Sequence, residues 1–445
     1  MPPASAPPAI KALTGVGAID AAQFAVLLDP LGPFEPSPRM AVAVSGGADS
    51  MALCLLAQGW AAARGGGVLA LICDHGLRTG SAAEAAVTQA RLAAFGIDSE
   101  ILPITGLDPG PALAERARAA RYATLEAACA GRGIVHLLLG HHAADQAETV
   151  VLRLLHASGP AGLAAIAALV ERPQLRLLRP LLTVPPARLR ASLAAAGIAW
   201  VEDPTNADLA YERARLRLLR RDPAGDGVAT RALVAAATAR GVTRMAAESR
   251  MVAWAASHVT LYPSGHAIMR ELGAASAAGL ARLLQVLAGA RRPPPERQVA
   301  GWIARPGPAT LGGVLLRPMS HGEWMLAREP AALGPAVEAR IGSVWDGRFR
   351  CVAVAEAGLM LAALGPPAAA WRDRSPLPAA VLASLPAVWR DGVPVDVPSL
   401  PPTSSCRRPV SLMFASPASL SALFVPADLP SGVVGMHKCA GLPML

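Results

Sequence analysis

Short, fully apolar runs alternate with longer stretches in which apolar residues recur at helical spacing, and this alternation dominates the chain from residue 39 to about residue 200. Residues 40–44, 67–73, 99–104 and 134–139 read as strands, and residues 49–63, 81–95, 111–130 and 143–156 as the helices between them. A strand that is apolar on both faces belongs inside a parallel sheet covered by helices on both sides. The pattern therefore predicts an α/β fold with a doubly wound parallel sheet, which binds its ligand at the carboxyl ends of its strands.

A further strand near Leu175–Leu178 and a helix over 186–196 complete this domain, taken as residues 38–222. Before it, residues 1–37 are rich in proline and alanine and read as a loosely attached lead-in with one helical stretch near Asp20–Leu28. After it, residues 225–256 and 274–290 read as alanine-rich helices, which predicts a helical domain over 223–292. Beyond Arg292-Pro293-Pro294-Pro295 the glycine and proline content rises and short strand-like runs appear, at 313–316 and 349–354. Residues 293–445 are expected to form a mixed region.

Hydrophobic residues make up 53% of the 445 residues, much of that alanine, so helical filler is the default and cores need neither disulfides nor metals. The six cysteines contain no C-x-x-C pair, which argues against a cysteine-based zinc site and for a reducing compartment. The N-terminus shows no basic start before an apolar core, and no apolar run approaches the roughly 18 residues of a spanning helix. A soluble, cytoplasmic protein without a membrane partner is expected. The net charge of +9, carried almost wholly by arginine, favours a polyanionic partner such as RNA, although a basic solvated surface would look the same.

The first strand ends in Ser45-Gly46-Gly47-Ala48-Asp49-Ser50, directly before a helix. Such a turn aims free N–H groups and the positive end of a helix dipole at one small volume, which suits a phosphate. A Walker loop would require G-x-x-x-x-G-K-[ST], and its lysine is missing: the chain contains only Lys11 and Lys438. The second strand ends in Asp74-His75-Gly76-Leu77-Arg78, which suits either the base or ribose of a nucleotide or an ordinary turn before Ser81. The fourth ends in Gly140-His141-His142-Ala143-Ala144-Asp145-Gln146-Ala147-Glu148. On a helix His141, Asp145 and Glu148 share one face and can bind a cation, deprotonate an amine or hold a metal. His142, about 100° away on such a helix, cannot serve the same site without irregular backbone. Arg118 and Arg121 lie at i and i+3 on the third helix, able to grip phosphate or carboxylate, and Arg213, Arg215, Arg217, Arg220 and Arg221 form the densest local basic segment, an RNA-contact candidate.

The stretch at Ser45–Ser50 resembles the SGGxDS signature of the PP-loop ATP pyrophosphatases, which cleave ATP between the α and β phosphates. Together with Asp74-His75-Gly76-Leu77-Arg78, Arg118-Ala119-Ala120-Arg121-Tyr122, the Gly140–Thr149 segment, Arg179-Pro180-Leu181-Leu182, Asp203-Pro204-Thr205-Asn206 and Arg213-Ala214-Arg215-Leu216-Arg217, it resembles the tRNA(Ile)-lysidine synthases, in order over about residues 39–220. Two departures stand out: Ala144 where that family commonly has aspartate, and Ala214 where it commonly has asparagine.

The resemblance implies ATP and Mg²⁺ as cofactors, and L-lysine and a tRNA(Ile) with a CAU anticodon as partners. It implies that lysine is ligated to C2 of the wobble cytidine, position 34, through an adenylated base, giving AMP and pyrophosphate. Ser45, Gly46, Gly47, Ala48, Asp49 and Ser50 would hold the pyrophosphate, with Asp49 also on Mg²⁺. Asp49, His141 and Asp145 would be catalytic, Glu148 would hold an ammonium group of lysine, and Arg118, Arg121, Arg213 and Arg215 would contact substrate. Another PP-loop tRNA-modifying enzyme, such as a thiolase or an amide-forming synthetase, and an RNA-binding protein with a decayed nucleotide site are the alternatives.

Overall fold

The computed structural model describes residues 17–76, 80–108, 110–159, 162–172, 174–201, 212–375, 377–401 and 409–415. Leu77, Arg78 and the Asp203–Asn206 segment lie outside the described residues. The chain divides into two compact units at Ala246/Ala247.

The first unit opens with α1 (Ala21–Leu28), followed by β1 (Arg39–Val44), α2 (Ala48–Ala62), β2 (Gly67–Asp74), α3 (Ser81–Ala94), β3 (Asp98–Pro103) and α4 (Leu113–Ala130). It continues with β4 (His136–Leu139), α5 (Ala143–Leu155), β5 (Leu169–Glu171), β6 (Arg176–Leu178), α6 (Pro186–Ala195), α7 (Glu212–Arg220) and α8 (Val228–His258), which runs past the division between the units. The strands form one sheet in the order β3-β2-β1-β4-β6-β5, parallel except for β5. Side chains alternate across β1: Met40, Val42 and Val44 join α1, α2, α3 and α6 on one face, while Ala41 joins α4 on the other. This is the doubly wound α/β class that the alternating pattern predicts.

The strand order matters for function. The chain steps outward from β1 through β2 to β3, then returns to place β4 on the other flank of β1, with Met40 opposite His136 and Ala43 opposite Leu139. Such a reversal opens a crevice at the carboxyl ends of the two central strands. The phosphate loop and the Gly140–Asp145 segment are the two peptides that leave those ends.

Residues 17–37 differ from the loose lead-in expected. Phe24, Leu27 and Leu28 are fully buried against α2 and α6, the Ile19 N–H donates to Ser192 Oγ at 2.9 Å, and the Arg188 guanidinium donates to the Gly17 carbonyl and to Gln23 Oε1. The helical stretch expected near Asp20–Leu28 is present as α1, capped by Asp20, whose carboxylate accepts from the Gln23 N–H at 2.8 Å; what differs is that its apolar face is docked rather than loose.

In the second unit, β7 (Val259–Leu261) and β8 (Ala267–Met269) pair as a hairpin, followed by α9 (Ala277–Ala288), α10 (Glu296–Ala304), β9 (Ala309–Leu311), β10 (Val314–Pro318) and β11 (Trp324–Arg328). These strands form an antiparallel sheet, β7-β8-β11-β10-β9, whose apolar face packs on α9 and α10. The helical domain expected over 223–292 is thus interrupted by a hairpin and divided between the two units. Next come β12 (Val337–Glu338), β13 (Val344–Trp345), β14 (Phe349–Val354), β15 (Met360–Ala363), α11 (Ala379–Ala383), β16 (Pro386–Arg390), β17 (Val393–Asp396) and β18 (Val410–Phe414). They make two small antiparallel sheets, β12-β15-β16-β17 and β13-β14-β18. Among its described residues the region combines short antiparallel sheets with α10, α11 and short 3-10 helices. Among the described residues no helix is long and apolar enough to cross a membrane.

Candidate active site

The loop from β1 to α2 is shaped by two glycines with different tasks. Gly46 adopts φ +81°, and a Cβ there would lie 2.5 Å from the Thr88 hydroxyl, so the position accepts only glycine without strain. Gly47 has ordinary extended backbone and caps α2, leaving the first N–H groups of that helix without intrahelical carbonyls. The Ser50 hydroxyl is used within the loop: it donates to the Gly47 carbonyl at 3.0 Å and accepts from the Ser45 N–H at 3.1 Å. The Ser45 and Ser50 hydroxyls lie 3.2 Å apart. Ser50 thus braces the cradle, while the Gly47–Asp49 backbone faces its opening. Gly140 lies close behind; a Cβ on it would come within 3.2 Å of the Ser50 backbone.

Asp49 sits in the first turn of α2. Its Oδ2 faces His142 Nε2 at 3.4 Å, and its Oδ1 is buried with no hydrogen-bond partner. An orphaned carboxylate oxygen beside a phosphate cradle fits a Mg²⁺ ion, which takes one or two carboxylates together with substrate phosphates. Among the described residues no group of three or more His, Cys, Asp or Glu side chains is arranged to hold a metal without such a ligand.

α5 starts at Ala143, with His142 as its N-cap in extended backbone (φ −129°, ψ −176°). His141 therefore lies before the helix and does not share a helical face with Asp145 and Glu148. The irregular backbone turns the His142 ring toward both Asp49 and Asp145. His142 Nδ1 lies 3.6 Å from Asp145 Oδ2, which also accepts the His142 N–H at 3.1 Å. Burial opposes a charged His142 ring, yet the carboxylates of Asp145, Asp49 and Glu148 together outweigh it and raise its pKa. His141 goes the other way: burial, reinforced by Arg179, Arg118 and Arg121 against the pull of Asp145, lowers it to about 4. The pair thus combines one imidazole biased toward its charged form with one that is neutral at neutral pH. Burial works against the Asp145 carboxylate, but His142, His141, the His142 N–H and Arg217 hold it below the ordinary value.

Glu148 is 1% exposed and is engaged by Arg217 of α7, with Nε to Oε1 at 2.7 Å and Nη2 to Oε2 at 3.3 Å; the same Nη2 reaches Asp145 Oδ1 at 3.4 Å. Arg213 donates to the Thr149 hydroxyl at 3.3 Å. Arg215 is exposed on the same helix. Arg118 stacks over the Tyr122 ring, 5.1 Å from its centroid, and Arg118 and Arg121 act on His141 through charge. At the end of β2, hydrogen bonds from Ser81 and the Gly76 N–H hold Asp74 below its ordinary pKa, as the turn interpretation expects.

The structure therefore joins Asp49, His142, Asp145, Arg217 and Glu148 through successive contacts, with His141 near enough to Asp145 to feel its charge. His142 and Arg217 are the members that spacing alone missed. The signal for His142 lay in its place between a strand end and an acidic first helical turn, an N-cap position. The Arg217 pairing joins residues 69 apart and leaves no local trace.

Residues 19–221 match the PP-loop domain family. A tRNA(Ile)-lysidine synthase from Bradyrhizobium sp. strain BTAi1 is 42% identical over 54% of this chain and 68% of its own length. Those from Methylobacterium sp. strain 4-46 and Methylobacterium nodulans are 39% and 36% identical, over 67% and 70% of this chain and 92% and 96% of theirs. The chain belongs to the tRNA(Ile)-lysidine synthase family. It spans less of some other relatives, 59% of the Rhodopseudomonas palustris protein for example. Among solved structures, the U34-tRNA thiolase NcsA from Methanococcus maripaludis with its [4Fe-4S] cluster shows a partial likeness, TM-score 0.39 at 17% identity over 49% of this chain and 76% of that one.

Within this family the two alanine departures have local explanations. Ala214 is the buried residue of α7. Ala144 meets the glycine bend at Gly225, where a Cβ on Gly225 would touch its methyl at 3.4 Å, and its carbonyl accepts from Arg220.

Proposed function

We propose that the chain is a carbon–nitrogen ligase that joins L-lysine to C2 of the wobble cytidine in the CAU anticodon of tRNA(Ile), consuming ATP, in the cytoplasm. The observation that carries this is the juxtaposition of Asp49, with its orphaned oxygen at the phosphate cradle, and the Asp145–Glu148 pair, bridged by His142. One crevice thus offers an anion cradle and a cation site, as joining an ATP-activated base to an amino acid requires.

Cytidine O2 attacks the α-phosphorus and pyrophosphate departs; a lysine amine then attacks C2 and AMP leaves with O2. The Gly47–Asp49 backbone receives the pyrophosphate charge at the α2 N-terminus. Mg²⁺ held by Asp49 would neutralise phosphate charge. Neutral His141 is the proton acceptor for the incoming amine, which Asp145 orients. Glu148 takes an ammonium group of lysine. Arg118 and Arg121 offer positive charge beside His141, and Arg213 and Arg215 offer it on α7, toward phosphates. An anticodon base is already unpaired, so it enters the crevice without opening a duplex.

Three of the thiols among the described residues speak against thiolation by a cysteine carrier. Burial pushes Cys54 up to about 12 and Cys73 and Cys129 up to about 11, so these side chains stay protonated and unreactive. Incubation with ATP, labelled lysine and a CAU-bearing tRNA(Ile) transcript tests the proposal. Label in the tRNA with stoichiometric AMP is expected; AMP release only with a sulfur donor, or tRNA binding with no AMP release, would overturn it.

A further inference from the structure

We infer that Arg217 is a built-in stand-in for the substrate ammonium, holding the Asp145–Glu148 carboxylates while lysine is absent and yielding them when lysine enters. The inference rests on the assignment of Glu148 to lysine made above. Glu148 is 1% exposed and both its oxygens face the Arg217 guanidinium, which also reaches Asp145. An ammonium group cannot take the same inward-facing carboxylate without displacing that guanidinium. Asp145 is also held by His142, so it is at Glu148, engaged by Arg217 at both oxygens, that one cation must give way to another.

The way α7 is held makes such an exchange feasible. It lies antiparallel to α5, with Glu212 near His156, Arg213 at Thr149, Arg217 at Glu148 and Arg220 at the Ala144 carbonyl and Thr230. Only Ala214 of its nine residues is buried, and Leu218 and Leu219 are 64% and 78% exposed. The helix is thus attached through arginine side chains rather than through an apolar face. Withdrawing Arg217 breaks charge-assisted contacts that an incoming ammonium restores, and it uncovers little hydrophobic surface. Lysine therefore competes with an internal cation, and its apparent affinity is reduced by the fraction of molecules in which Arg217 occupies the pair. The same competition excludes weaker cations from the crevice.

Calorimetric titration of the full chain with L-lysine, without tRNA, tests the inference through three variants. Arg217→Gln is expected to bind lysine at least about fivefold more tightly than the parent, and Arg217→Lys, which keeps a cation but not the two-pronged contact, to fall between them. Glu148→Gln is expected to abolish binding. Unchanged or weaker binding in Arg217→Gln, with binding lost in Glu148→Gln, would show a fixed structural ion pair and overturn the inference alone. Undiminished binding in Glu148→Gln would instead overturn the assignment of Glu148 to lysine. Because Arg217→Gln leaves a buried carboxylate without its partner, hydrogen exchange of the parent protein gives a second measurement free of folding effects. Faster exchange of the Glu212–Arg220 amides on adding lysine is expected; unchanged or slower exchange would overturn the stand-in role.

Discussion

His142 Nε2 stands 3.4 Å from Asp49 Oδ2, while Nδ1 of the same ring stands 3.6 Å from Asp145 Oδ2. One imidazole thereby links the first turn of α2, at the proposed phosphate cradle, to the first turn of α5, which carries the acid pair. The link follows from topology: β1 and β4 are neighbours, and the peptides leaving their carboxyl ends meet at the reversal of strand order.

Replacing Asp49 with alanine removes the one carboxylate that faces both His142 and the phosphate cradle. Pyrophosphate release is expected to fall by about a hundredfold or more, in the range seen when one transition-state charge stabiliser is lost. Affinity for tRNA, which the proposed function assigns to arginine–phosphate contacts, is expected to stay within about threefold. Wild-type turnover in Asp49→Ala, measured by pyrophosphate release with filter binding of tRNA as control, would remove Asp49 from the chemistry.

Much of this arrangement could be read from the chain. The strands β1, β2 and β4 are apolar runs with no competing periodicity, and the loop at Ser45–Ser50 needs glycine for a stated steric reason. What escaped reading has physical causes. β7 and β8 have three residues each, too few for any period to show, so the gap between the helices expected over 225–256 and 274–290 carries no strand signal. α1 itself was legible at Asp20–Leu28, but the docking of its segment, with Ser192 on the Ile19 N–H and Arg188 on Gly17 and Gln23, joins residues more than 160 apart. The constraint that excluded His142 assumed helical backbone, whereas the residue is an extended N-cap. Arg217 pairs across a distance in sequence that no local pattern records.

The two loop glycines separate conformational strain from simple crowding. Gly46→Ala must place a Cβ at φ +81° and 2.5 Å from the Thr88 hydroxyl, which itself donates to the Glu84 carbonyl. A loss of about 1–3 kcal/mol in stability is expected, the usual cost of a non-glycine residue in that region. Gly47→Ala has extended backbone and meets nothing closer than Ser45 Oγ at 3.5 Å, so its unfolding midpoint is expected to match the parent's. Equal midpoints for both variants in urea would refute the steric account of Gly46.

His266 offers a pH signature in the second unit. The ring is buried, stacks on Tyr262 with centroids 4.4 Å apart, and pairs through Nδ1 with the Ser264 hydroxyl at 2.7 Å. Burial lowers its pKa to about 4, whereas the unfolded chain titrates near the ordinary imidazole value of about 6.5. Above that value both states are neutral and the group has no pH-dependent effect. As the pH falls from there toward the folded value, the unfolded state takes up a proton that the folded state refuses, so stability declines. The slope approaches about 1.4 kcal/mol per pH unit and the total about 3 kcal/mol, lost by the time the folded pKa is reached. Urea unfolding of the parent and of His266→Gln between neutral pH and pH 5 measures this term directly. The variant lacks the titrating ring, so the stability difference between the two proteins is expected to shrink steadily as the solution is acidified. A difference that stays constant across that range would show that His266 protonates equally in both states.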